Sequence, residues 1–139
     1  MTFTVDATED IKIDDLSLVL DGTADESTDL ASAILYLDDG SGGFDMADTA
    51  LTPTVTSGFI NDGTVDFLNI QNGGGDLVVT NGGGAINLWL VLNPNGNASG
   101  GETFSARFNG LGDLNAVAAT DSSAVLTQAT GTPFSDGDY

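Results

Sequence analysis

What most restricts the folds open to this chain is its punctuation. Short runs of alternating or continuous apolar residues are cut from end to end by Gly, Asn and Asp, and the 3.6-residue periodicity of an amphipathic helix is nearly absent. Read as strands, these runs are Thr2–Val5, Ile11–Leu20, Ala33–Leu37, Leu51–Val55, Thr64–Ile70, Leu77–Thr80, Ile86–Leu92, Thr103–Phe108, Asn115–Ala119 and Ala124–Leu126. In the second run, Ile11 and Ile13 and then Leu16, Leu18 and Leu20 keep one face apolar, while Asp14-Asp15 shifts the phase by one residue. A phase change inside a long strand predicts a bulge. The run Ile86–Leu92 is apolar on both faces, as a central strand should be. Only the stretch from Ala24 to Ala33 has room for a helical turn.

Short strands at this spacing with almost no helix predict an all-β fold: a two-sheet antiparallel β-sandwich of immunoglobulin-like type, with a jelly-roll-like variant as the neighbouring solution. At 139 residues the chain suits one domain, 1–139. Within it, 1–9 is expected to be an edge strand or an exchanged strand, and 130–139 a linker or tail. The pair Asn72-Gly-Gly-Gly and Asn81-Gly-Gly-Gly reads as two turns around a short strand.

Charge then removes whole classes of function. Against 21 acidic residues stand only Lys12 and Arg107, for a formal charge of −19. Two cations cannot neutralise a phosphate backbone, so no nucleic-acid partner is expected, and an anionic membrane surface repels the chain. No run approaches the ~18 apolar residues of a span, so no membrane insertion is expected. The absence of Cys and His removes thiol nucleophiles, Cys/His zinc sites and the usual general base. Acid pairs are plentiful, but no nucleophile motif or basic cluster completes a catalytic site, so the chain is not expected to be an enzyme. The acids themselves are skewed: 18 are Asp, and only Glu9, Glu26 and Glu102 are Glu. Asp is the residue of turns, caps and hard-cation loops.

The densest such loop is Asp38-Asp39-Gly40-Ser41-Gly42-Gly43-Phe44-Asp45-Met46-Ala47-Asp48, directly after the strand Ala33–Leu37. Calcium needs six to eight oxygens at ~2.3–2.6 Å, and a short loop delivers them only if it curls at glycine. Asp39, Ser41, Asp45 and Asp48 stand at relative positions 3, 5, 9 and 12 of an EF-hand-like loop, with Gly42 at 6 and the Gly43 carbonyl at 7. Position 1 falls on Leu37, and Asp38 sits one place late, so the loop is one residue short of that pattern. The candidate calcium ligands are therefore Asp38, Asp39, Ser41, Gly43, Asp45 and Asp48. A second acidic group, Asp21, Asp25, Glu26 and Asp29, offers Asp21, Asp25 and Asp29 as weaker candidates; the same residues could instead cap a helical turn.

In its order of motifs the chain resembles calcium-binding, immunoglobulin-like β-sandwich modules of secreted bacterial surface proteins of the adhesin type. The carriers are Leu20-Asp21-Gly22-Thr23, Thr28-Asp29, Leu35-Tyr36-Leu37-Asp38, the loop Gly40 to Thr49, Gly63-Thr64-Val65, Asn87-Leu88-Trp89-Leu90-Val91-Leu92 and Gly101-Glu102-Thr103-Phe104-Ser105-Ala106. The resemblance implies a sandwich fold, an extracellular cell-surface location and a non-catalytic role. The start, Met-Thr-Phe-Thr-Val-Asp, has no basic region or apolar core, so a secreted form is expected to have lost a leader or to belong to a longer chain.

Two functions follow. One is a structural or adhesive module that associates with itself or with neighbouring modules, polymerising by strand exchange into a filament, tube or layer. The other is a calcium-dependent carbohydrate-binding module, for which Tyr36 and Phe44 are the nearest aromatic contacts and Trp89, between Leu88 and Leu90, reads as core.

Overall fold

A computed structural model of the chain describes residues 1–3 and 9–125. Its spine is β2, Ile11–Gly22, in which Ile11, Ile13, Leu16, Leu18 and Leu20 are all buried. The phase change at Asp14-Asp15 is a bulge: against β10 (Leu114–Ala118), Asn115 pairs Asp15 but Ala116 pairs Ile13, so Asp14 is the extra residue. Absorbing that residue keeps Ile11, Ile13, Leu16, Leu18 and Leu20 on the core face.

The bulge also divides the partners of β2. On one side β7 (Gly75–Val79) pairs Ile11–Ile13, and β5 (Thr64–Phe67) takes over at Leu16. On the other, β10 gives way to β9 (Phe104–Arg107), which pairs Val19 to Gly22. With β6 (Gln71–Asn72) and β11 (Asp121–Val125) these form one seven-stranded antiparallel sheet. Gly22 is needed where β9 crosses: a Cβ there would stand 2.2 Å from the Thr103 carbonyl oxygen.

The second sheet has four strands in the order β1-β8-β3-β4: Thr2–Phe3, Ile86–Pro94, Leu30–Leu37 and Thr49–Ala50. The two sheets enclose one core cluster that includes Leu16, Leu18, Leu35, Phe67, Ile70 and Leu88. The fold is thus an all-β, two-sheet antiparallel sandwich, as the punctuation predicts. β1 reaches only the start of β8, pairing Thr2 with Asn87 and Phe3 with Ile86, while Met1 and Leu88 exchange backbone hydrogen bonds. Beyond Leu88, no strand among the described residues covers the edge of β8 that faces away from β3.

Several expected boundaries move for local reasons. A strand over Leu51–Val55 is not formed. Pairing there is confined to Thr49–Ala50 and to single bridges from Thr52 to Gln71 and Val55 to Ala33, because Pro53 has no N–H for a ladder. β5 ends at Phe67, since Asn69 turns to φ 55°. The helical turn is Glu26–Asp29, and β3 starts at once at Leu30. β8 lies inside its sheet, yet only Leu88 of it is fully buried. Thr4, Val5, Leu126 and the stretch 130–139 lie outside the described residues.

Candidate metal centre

The loop 38–48 closes a hairpin. Its last paired residues are Leu37 and Thr49, in β3 and β4. Register alone therefore sets Asp38 and Asp48 opposite one another at the neck of the loop, with Asp39 beside them. One carboxylate oxygen from each of Asp38, Asp39 and Asp48 lies within 4.8 Å of the others. Two ligands of one calcium ion at about 2.4 Å can be at most about 4.8 Å apart, so each pair of the three lies within the span that one ion allows. Asp48 is buried, Asp38 half-buried and Asp39 exposed, which leaves one side open to water as a further ligand. Among the described residues no other three acidic side chains come this close.

Hydrogen bonds shape the loop. Asp48 accepts from the Asp39 amide (3.1 Å) through Oδ1 and from the Asp45 amide (2.9 Å) through Oδ2. Asp39 accepts from the Ser41 amide at 2.9 Å, and Asp38 from the Gly42 amide at 3.3 Å. From outside the loop, Asn87 of β8 donates its side-chain amide to Asp38 Oδ2 at 3.0 Å, and the Asp38 amide donates to the Asn87 carbonyl at 3.0 Å. The Asn87 bond is the main cause that holds the Asp38 carboxyl below its ordinary value, helped by the Gly42 and Gly40 amides, while desolvation works against it. The buried indole Nε1 of Trp89, without a hydrogen bond of ordinary geometry, faces the same carboxylate and adds to the effect.

The other candidates are placed differently. Ser41 Oγ donates to the Gly43 carbonyl at 3.0 Å, and Asp45 Oδ1 accepts from the Ala47 amide at 2.7 Å, outside the triad. Asp25 caps the turn Glu26–Asp29, accepting from the Ser27 amide, while Asp29 reaches back to the Asp25 amide at 2.9 Å. This reciprocal cap satisfies the orphan amides of the turn. Asp21 accepts from the Gly22 amide at 2.8 Å and lies 3.9 Å from Arg107. Sequence reasoning missed Asn87 as a support of the site, because the contact spans 49 residues and nothing near Asn87 marks it.

The donor set is all oxygen, hard and anionic, with no basic side chain paired to it. That suits a divalent hard cation. No protein-family model, curated protein or solved structure matches the chain, so what is read from this centre rests on its own geometry.

Proposed function

We propose that the protein is a non-catalytic, extracellular structural or adhesive module whose fold is stabilised by calcium. The observation that carries the proposal is the neck of the β3–β4 hairpin. Register forces two carboxylates against each other there, a third joins them, and no lysine or arginine answers them. Like charges placed opposite in a hairpin destabilise it, and a bound cation reverses the sign. Calcium is favoured over magnesium because the ligands are clustered by a flexible glycine loop and not set in a rigid octahedron. The carbohydrate reading has less support: the Tyr36 and Phe44 rings meet edge-on at 75°, not as the coplanar row on which a sugar stacks.

An ion that binds only the folded state at a hundredfold excess over its Kd stabilises by ~2.7 kcal/mol. Millimolar calcium is therefore expected to raise the Tm by roughly 10 °C, and sodium chloride of equal ionic strength by much less. Asp48→Ala should remove most of the difference, and Asp45→Ala, outside the triad, should reduce it less. Equal shifts from the two salts in a thermal melt would mean charge screening alone and would end the calcium reading.

The same reading extends to assembly. The edge of β8 past Leu88 is a row of backbone groups that a strand from a second copy can pair, and in the sequence its partner strand β1 precedes the acidic stretch Asp6-Ala7-Thr8-Glu9-Asp10. Head-to-tail exchange of that strand does not close on itself and yields filaments.

A further inference from the structure

Asn87 stands between the triad and the edge strand β1, and it bonds to both. On one side its Nδ2 donates to Asp38 Oδ2 at 3.0 Å, and its carbonyl accepts from the Asp38 amide at 3.0 Å. On the other side its Oδ1 accepts from the Thr2 hydroxyl at 2.7 Å. The strand pairing brings this contact about. Met1 and Leu88 exchange both backbone hydrogen bonds, so the next pair, Thr2 with Asn87, is of the non-hydrogen-bonded kind, whose side chains stand nearest.

The direction of this relay is fixed by chemistry. An ionised carboxylate only accepts, so Nδ2 must face Asp38 and Oδ1 must face away from it. Oδ1 then needs a donor, and Thr2 supplies one. With β1 off the edge, Oδ1 faces water and the Asn87 side chain recovers its rotamer freedom. Asp38 thereby loses the fixed donor that holds its carboxylate in place. Carboxylates that bind metals depend on such outer hydrogen bonds, and losing one weakens the binding.

From this geometry we infer that the seating of β1 on β8 and the filling of the triad by calcium are coupled through Asn87, each strengthening the other. The inference rests on the calcium reading above. Coupling between two binding events is reciprocal. β1 raises the affinity of the triad for calcium, and calcium tightens β1 on its edge. Where the strand comes from a second copy in the same register, that copy's Thr2 completes the relay, and the ion strengthens the seam between subunits.

The test titrates the full chain with terbium, a calcium substitute whose luminescence is excited through Trp89, the one tryptophan, which faces Asp38. Displacing the terbium with calcium gives the calcium affinity of the triad. Thr2→Val removes the hydroxyl and keeps a strand-forming shape, so it should weaken calcium binding about threefold, whereas Thr2→Ser should not. In an Asn87→Ala background, itself weaker by about tenfold, Thr2→Val should cost nothing further. Hydrogen exchange reads the reverse direction. The Leu88 amide, which donates to the Met1 carbonyl, should exchange more slowly at saturating calcium in the native chain and at an unchanged rate in Asn87→Ala. Undiminished affinity in Thr2→Val, or an equal loss in both backgrounds, would overturn the coupling and leave the calcium reading intact. No binding by the native chain would overturn both.

Discussion

At Asp38 a strand, a loop and an aromatic side chain meet on a single carboxylate: Asn87 from β8, the Gly42 amide from the hairpin and the indole of Trp89. Because these contacts lower its pKa in the folded state, the stability they add is present above the ordinary value of 3.8 and is lost as pH falls through the lower folded value. The stability gap between the native chain and Asn87→Ala should thus be widest above about pH 4 and close in stronger acid. Chemical denaturation across that range measures it, and a gap that stays constant down to the most acid point would contradict the assignment. Calcium stabilisation should fade in the same window, since its ligands must be ionised. The loop carboxylates were legible in the sequence because they lie within eleven residues of each other. Asn87 was not, because it reaches Asp38 only through the sheet pairing that folding creates.

Among the elements, β2 was read most fully from sequence, bulge included, since its period-2 pattern and the one break in it are both local. The same pattern makes a paired prediction. Removing Asp14 turns β2 into an unbroken alternation that keeps Ile11, Ile13, Leu16, Leu18 and Leu20 on one face, so the variant should fold, with a lower Tm from the lost Lys12 pair and the lost bond from the Ile70 amide to the Asp14 carbonyl. Removing Ser17 instead throws Leu18 and Leu20 to the outer face and should abolish the folded state. Circular dichroism melts of the two deletions decide it, and equal effects would show that register in β2 does not control the fold. Where sequence reading failed, at Leu51–Val55, the apolar pattern was sound; a missing N–H at Pro53 and bridges to two different strands left no ladder to extend.

For the molecule as a whole, 19 net negative charges oppose both compaction and the approach of a second copy. Any strand exchange at the β8 edge must therefore be bridged by cations, and assembly should require calcium. A chain lacking residues 1–9 should remain a folded monomer and fail to polymerise in calcium, as followed by light scattering and negative-stain images. The same polymer from the truncated chain would exclude exchange of this strand. The paired arrangement of β2 also has a consequence in time. The spine is complete by Gly22, but its flanks come from Thr64–Phe67, Gly75–Val79, Phe104–Arg107 and Leu114–Ala118. Such distant pairings fold slowly, in milliseconds to seconds. A growing chain thus carries its earliest long strand bare until Thr64–Phe67 is made, and the seven-stranded sheet closes only after Leu114–Ala118, later than the four-stranded sheet, whose last strand ends at Pro94.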